Sequence, residues 1–318
     1  MIPQLKIAHM HPRLPIIQGG MAYSVSTGKL AAAVANAGGI GTIAGTGLTL
    51  QELSTEIQKA RTLIKGTGYI GVNVLFAVKQ FAELVLKAMQ EKVDFIVSGA
   101  GFSRDMFAWS QEYGIPVIAI VSSARLAKLA EKLGAAAIVA EGKEAGGHLG
   151  TDRPLKEILP EVVAAVDIPV IAAGGLTTGK DIAEMIKLGA SGAQLATRFV
   201  ASEECEAHPK FKQMFLAAEQ DDVTLINSPV GLPGRALRNR FTQLISQGAA
   251  PIKKCEQCLK RCNHTFCISD ALKKSVSGDT DNGLVFAGES VNKIKEILPV
   301  REIMDRLALD LDACLQSP

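Results

Sequence analysis

The sequence predicts an α/β chain folded as a (β/α)8 barrel, with a cysteine-bearing helical extension at the C-terminal end. Short apolar runs rich in Ile and Val alternate with helix-period stretches along the first two thirds of the 318 residues. The runs number eight, which closes a parallel barrel. Glycine or a small polar residue ends nearly every run, as loops converging on one site require. A doubly wound sheet also alternates, but it concentrates its glycine fingerprint after the first strand.

The runs span 14–20, 39–45, 69–75, 93–99, 116–122, 135–141, 169–175 and 192–199. The stretches between them read as amphipathic helices, with Ala82, Val85, Leu86 and Met89 as core positions in one of them. Beyond Phe199 the alternation stops. A helix-like stretch at 209–218 leads into SPVGLPGRA (228–236), whose Pro and Gly content reads as a loop. A barrel needs about 250 residues, so 1–250 reads as the barrel and 251–318 as an appendage. That appendage holds a cysteine segment, a turn at SGDTDNG (277–283) and an amphipathic helix carrying Ile294, Ile297, Val300, Ile303, Met304 and Leu307.

Hydrophobic residues make up 47% and charged residues 21%, with 30 glycines, three tyrosines and one tryptophan, which excludes a disordered or fibrous chain. The net charge is +2 and no Lys/Arg run exceeds two residues, so no nucleic-acid groove or anionic membrane surface is implied. The N-terminus lacks the apolar core of a signal peptide and no stretch is long and apolar enough to span a bilayer, so a cytoplasmic protein with a small-molecule substrate is expected. A homo-oligomer is left open. Of six cysteines, four fall between Cys255 and Cys267, while Cys205 and Cys314 stand alone. That distribution suits a metal or cluster site better than a secreted disulfide framework.

A barrel builds its site at the carboxyl ends of its strands. There the sequence places Ala173-Gly174-Gly175 after the seventh run and Gln194-Leu195-Ala196-Thr197 at the eighth, the two loops where barrels commonly cradle a phosphate with backbone N–H groups. Gly19, Gly20 and Met21 after the first run, with Asn73 in the third, offer bare backbone, a thioether and an amide to a flat aromatic ring such as a flavin. AEGKEAGGHLG (140–150) sets a single histidine, His148, on a glycine-flanked loop over the same face. An imidazole there can shuttle a proton or bond to a developing oxyanion; the bland reading is a solvated loop histidine. His9, His11 and His208 read as structural, and His264 lies within the cysteine segment.

IQGGM (17–21), GVNV (71–74), SGAG (98–101), AEGKEAGGHLG, IAAGG (171–175) and QLATRF (194–199) together resemble the nitronate monooxygenase and enoyl-ACP reductase II superfamily of FMN-dependent TIM-barrel oxidoreductases, over roughly residues 10–245. The resemblance implies that Gly20, Met21 and Asn73 touch the isoalloxazine ring, that Gly174, Gly175, Ala196 and Thr197 hold the FMN phosphate, and that His148 is catalytic, with Gly19, Glu141, Gly146, Gly147, Ala173 and Gln194 completing the expected cofactor-binding set. AEG before the histidine motif and EAHPKFK (206–212) are more similar to the reductase branch. An NAD(P)H-dependent reductase of an activated C=C bond (an enoyl thioester, a 2-enoate or an aromatic enone) is therefore expected, with NADH or NADPH as reductant. The alternative is oxidation of alkyl nitronates with O2. A flavin- or cluster-bearing electron carrier would have no use for the histidine.

The array Cys255-x2-Cys258-x3-Cys262-x4-Cys267 departs from both branches. Four thiolates so spaced suit a [4Fe–4S] cluster or a zinc ion, and unligated reduced thiols stay open as a third reading.

Overall fold

The structure, a computed structural model, describes residues 2–250, 252 and 255–316. Eight parallel strands close a barrel: β1 (Ile16–Gln18), β2 (Ile40–Ala44), β3 (Tyr69–Leu75), β4 (Phe95–Gly99), β5 (Val117–Val121), β6 (Ala137–Glu141), β8 (Val170–Ala173) and β9 (Gly192–Leu195). β9 pairs back onto β1 with Ile17 opposite Gln194, which closes the ring. All eight apolar runs contain a strand, and the strands are mostly shorter than the runs because the terminal residues turn into loops. Helices α1 (Gly28–Asn36), α2 (Leu50–Leu63), α3 (Phe81–Gln90), α4 (Arg104–Tyr113), α5 (Ala124–Leu133), α6 (Leu155–Val163), α7 (Gly179–Lys187) and the single turn α8 (Thr197–Val200) follow β1 to β6, β8 and β9.

Side-chain alternation along each strand builds two cores. Ile17, Ile40, Phe95, Val97, Ile118, Val139 and Ile171 fill the barrel interior, and Leu5, Ile7 and Met10 of the N-terminal segment join them. Ile16, Ile43, Val72, Ile96, Ile138 and Val170 point outward to the helices. Gly71 gives the Phe95 ring its place, since a Cβ there would lie 2.5 Å from it. With the interior packed, only the loops at the strands' carboxyl ends are left to form a site.

Past the barrel, α9 (Pro209–Ala217) leads into a three-stranded sheet in the order β10 (Val223–Asn227), β11 (Pro233–Leu237), β7 (Gly147–His148). The loop expected over 228–236 is therefore corrected: it ends at residue 232, and Pro233, Gly234, Arg235 and Ala236 run in β11. Proline is tolerated there because it takes the strand's first position. The backbone of 147 and 148, expected as open loop, pairs antiparallel with β11, with His148 opposite Gly234.

Three further helices, α10 (Arg240–Ser246), α11 (Ile268–Val276) and α12 (Val300–Gln316), complete the chain. Ile294 and Ile297 precede α12 instead of lying in it, because Leu298 and Pro299 separate them from the helix. The buried stripe of α12 is Val300, Ile303, Met304, Leu307 and Leu311, and it seals α7 and α1. Contact with α7 is backbone-close: a Cβ on Gly179 would stand 2.4 Å from the Leu307 carbonyl oxygen. Gly179→Val should therefore push α12 off the barrel and cost about 1–3 kcal/mol, read as a lower urea midpoint; an unchanged midpoint would show that α12 yields freely.

Candidate active site

Two adjoining cavities open among the carboxyl ends of the barrel strands. The larger, about 240 Å³, is bordered by Gly19, Gly20, Met21, Asn73, Glu141, Gly146, Gly147, His148, Gln194 and Ala196. The smaller, about 50 Å³, is bordered by Ala173, Gly174, Gly175 and Thr197. Glu141, Gly146, Gln194 and Ala196 line both. Every residue that the sequence nominated for the cofactor, and His148, thus borders this pair of cavities. Strand register explains part of the convergence, because Glu141 pairs with Ala173 and Ala173 with Gln194 across β6, β8 and β9.

The backbone after β1 is held by buried side chains. Gln18 donates to Ser26 Oγ at 2.8 Å and accepts from Thr42 N at 3.0 Å, while Ser26 Oγ accepts from Met21 N at 2.9 Å. Gly20 presses so closely on Asn73 that a Cβ would lie 2.4 Å from the Asn73 Cβ. At the smaller cavity Gly174 and Gly175 have φ of 113° and 71°, in the left-handed region that favours glycine. The turn they make leaves backbone, and no side chain, facing the cavity.

His148 is held by its strand pairing and by two contacts. Its Nε2 lies 2.8 Å from Ser228 Oγ, and its ring meets Phe286 edge to face with centroids 5.2 Å apart. Ser228 Oγ already accepts from Val230 N at 3.3 Å. Its O–H can therefore donate to Nε2, and in that arrangement Nδ1 carries the ring proton. Burial pushes the imidazole down to about 4, so His148 is neutral at pH 7. Burial pushes the Glu141 carboxyl up to about 7. Around them the 142–146 loop is clamped: Arg235 donates to the Lys143 carbonyl at 2.8 Å, and the Glu144 carboxylate accepts from Leu155 N at 3.0 Å.

Several residues of the site escaped the sequence reading. Ser228 sat in a stretch valued only for its Pro and Gly. Phe286, Gly288, Ser290 and Val291 follow the 277–283 turn and reach the cavities from the C-terminal segment, where Gly288 N donates to Thr197 Oγ1 at 3.0 Å. No local pattern marks them, because their role depends on a contact across the chain.

The cysteines are all free thiols. Cys255, Cys258, Cys262 and Cys267 line a third cavity of about 460 Å³, together with His264. Burial pushes the Cys258 thiol up, and its neighbours Cys267, Cys262 and Cys255 act in the same direction. Among the described residues, no three His, Cys, Asp or Glu side chains are placed to hold a metal ion as they stand. Cys205 is buried elsewhere and Cys314 lies on α12.

A family model described as nitronate monooxygenase matches residues 4–85 and 69–310. The chain belongs to the nitronate monooxygenase family. It is 27% identical to a (3aS,4S,5R,7aS)-5-hydroxy-7a-methyl-1-oxo-octahydro-1H-indene-4-carboxyl-CoA dehydrogenase of Rhodococcus jostii (strain RHA1), over 93% of this chain and 92% of the relative. A probable nitronate monooxygenase of Staphylococcus aureus (strain Newman) is 31% identical over 73% of this chain and 78% of its own. Among solved structures, FabK from Thermotoga maritima superposes with a TM-score of 0.84 at 31% identity, covering 96% of this chain and 94% of that one. This nitronate monooxygenase family member is an oxidoreductase enzyme of the FMN-dependent TIM-barrel superfamily. No helix among its described residues is long and apolar enough to cross a membrane.

The titrations of Glu141 and His148 give opposite slopes of stability with pH. Glu141, ordinarily near 4.5 and raised to about 7, contributes stability that is complete below 4.5 and lost as pH rises through 7. His148, ordinarily near 6.5 and lowered to about 4, contributes stability that is complete above 6.5 and lost as pH falls through 4. In flavin-free protein, Glu141→Gln should therefore gain stability relative to the parent as pH rises from about 4.5 to 7. His148→Gln should gain as pH falls from 6.5 to about 4. Urea unfolding across that range measures both, and parallel curves for parent and variants would contradict the assignments.

Proposed function

We propose that this protein is an FMN-dependent ene-reductase that uses NADH or NADPH to reduce an activated C=C bond in an uncharged acyl or enone group. The observation that carries the reading is the lining of the larger cavity: among the described residues it includes no Lys or Arg, and its histidine is neutral. An anionic nitronate or a 2-enoate would find no protein cation to balance the charge of its reacting group, whereas the reacting group of an enoyl thioester or aromatic enone carries none. Leu272, Val276, Leu284 and Phe286 give that cavity an apolar wall suited to the carbon skeleton. The Rhodococcus relative, named as a carboxyl-CoA dehydrogenase, favours a CoA-linked substrate, and FabK, a member of the reductase branch, favours reduction.

The paired cavities fit FMN. The small one is bordered by the Gly174–Gly175 turn, and the large one adjoins it with Gly19, Gly20 and Asn73 in its lining. Gly174, Gly175, Ala196 and Thr197 would hold the phosphate, and Gly20, Met21, Asn73, Gly146 and Gln194 would border the ring. When bound, FMN supplies the hydride that the protein itself lacks. His148 then offers its N–H to the substrate carbonyl oxygen on which charge develops, with Ser228 fixing the ring and the buried surroundings strengthening that hydrogen bond. Glu141, raised to about 7, carries less negative charge beside a developing anion than an ordinary carboxylate would.

The alternative reading, nitronate oxidation with O2, is favoured by the family description and by the Staphylococcus relative. Anaerobic NAD(P)H oxidation with enones and enoyl thioesters, set against O2 uptake with alkyl nitronates, separates the two. Turnover confined to the nitronates would overturn the reductase reading.

His148→Ala should keep FMN and lower substrate reduction by roughly 10²- to 10⁴-fold, with flavin reduction by NAD(P)H much less affected. Equal loss in both half-reactions would move His148 out of the substrate step.

Gly174→Val and Gly175→Val each force a branched residue into a left-handed backbone. They should release the flavin, read as loss of yellow colour on gel filtration. Full flavin retention in both would contradict the phosphate cradle.

A further inference from the structure

The cysteine cavity is joined to the active site at two places. Cys258 and Leu259 line both cavities, so one stretch of backbone forms their common wall. That wall is pinned to the loop after β3: Lys79 N donates to the Cys258 carbonyl at 2.9 Å and Lys260 N to the Ala77 carbonyl at 2.8 Å. Next to Cys262, Asn263 N donates to the Pro229 carbonyl at 3.2 Å and Asn263 Nδ2 to the Ser228 carbonyl at 3.3 Å. Ser228 is the residue that holds His148.

The four thiols share one cavity, at spacings of two, three and four intervening residues. Two sit in turns of the same design: Gln257 N donates to Cys255 Sγ at 3.4 Å, and His264 N donates to Cys262 Sγ at 3.4 Å. To aim those amides, Gln257 and His264 take φ of 49° and 56°, an uncommon conformation for residues other than glycine. Amide N–H groups aimed at sulfur are the kind of outer contact that orients metal ligands. The fourth thiol, Cys267, stands at the start of α11. As they stand the sulfurs ring the cavity without meeting at one point, so a bound centre would span it or draw them together.

We propose that Cys255, Cys258, Cys262 and Cys267 bind a thiophilic metal centre, an iron–sulfur cluster or a zinc ion, and that this centre braces the Ser228–His148 pair through Asn263. Both occupants use the same soft four-thiolate chemistry. The metal site stands independently of the ene-reductase reading; only the consequence for His148 rests on it.

The test starts from full-length protein purified without oxygen and assayed separately for iron, acid-labile sulfide, zinc and flavin. Iron with matching sulfide identifies a cluster, and about one zinc per chain without sulfide identifies an ion; either supports the site. Cys255→Ser, at an exposed position that leaves packing undisturbed, and the double variant Cys255→Ser/Cys262→Ser should both lose the metal and keep FMN. Cys314→Ser should keep both.

Asn263→Ala should retain metal and flavin yet lower kcat for substrate reduction roughly 10- to 100-fold, the scale of a small misplacement at the reacting centre. Flavin reduction by NAD(P)H should stay near the parent rate in that variant. Neither iron nor zinc in the parent, even after reconstitution with ferrous iron and sulfide or with Zn²⁺, would overturn the site, as would undiminished metal in the double variant. Parent-like kcat in metal-loaded Asn263→Ala would overturn the brace. Metal present without flavin would instead sink the FMN reading and leave this one standing.

Discussion

The closure of β9 onto β1 is the constraint from which the rest of this structure follows. Once Ile17 is opposite Gln194, all eight strands run the same way around a filled interior, and their carboxyl ends must share one rim. Residues far apart in sequence, such as Gly20, Asn73, Glu141 and Gly174, become neighbours there without any direct attraction between them. The glycines at this rim serve that crowding: Gly20 lets the first loop settle against Asn73, and the Gly174–Gly175 turn opens a small backbone-walled space.

The electrostatics of the rim are those of a cavity that avoids charge. Glu141 is pushed toward its neutral acid and His148 toward its neutral base, both by burial. Near pH 7 the imidazole is therefore neutral and the carboxyl is partly protonated, where an ordinary glutamate would be ionised. That state favours hydrogen bonding over ion pairing, and it suits a reaction in which charge appears only in passage. Ser228 matters in this setting because a neutral imidazole needs its orientation fixed before it can offer one defined N–H.

Much of the barrel was legible because its signals are local. Each Ile/Val run is one strand, each following Gly is one loop, and a motif such as AEGKEAGGHLG carries its histidine and the glycines beside it in one stretch. What stayed hidden was assembled across the chain. Pro233 and Gly234 look like loop residues until β7 and β10 flank them, and then strand pairing outweighs their local preference. Ser228, Phe286 and Gly288 are ordinary residues in ordinary surroundings, made part of the site by contacts with His148 and Thr197 that no spacing rule reveals. The cysteine array was the reverse case, conspicuous in sequence while its connection to His148 through Asn263 was not.

The hydrogen bond from Gly288 to Thr197 spans 91 positions of sequence, and it has a consequence for the order in which the molecule comes into being. A ribosome delivers the barrel strands first, and at that moment the Gly174–Gly175 turn faces water on the side that Gly288, Ser290 and Val291 later cover. The nascent barrel thus presents a pocket that still lacks the lining supplied by Gly288, Ser290 and Val291. Only when the last segment folds back, with α12 sealing α7 and α1 behind it, does the pocket acquire its full enclosure. A chain released short of this segment would lack both that lining and the α12 seal on α7 and α1.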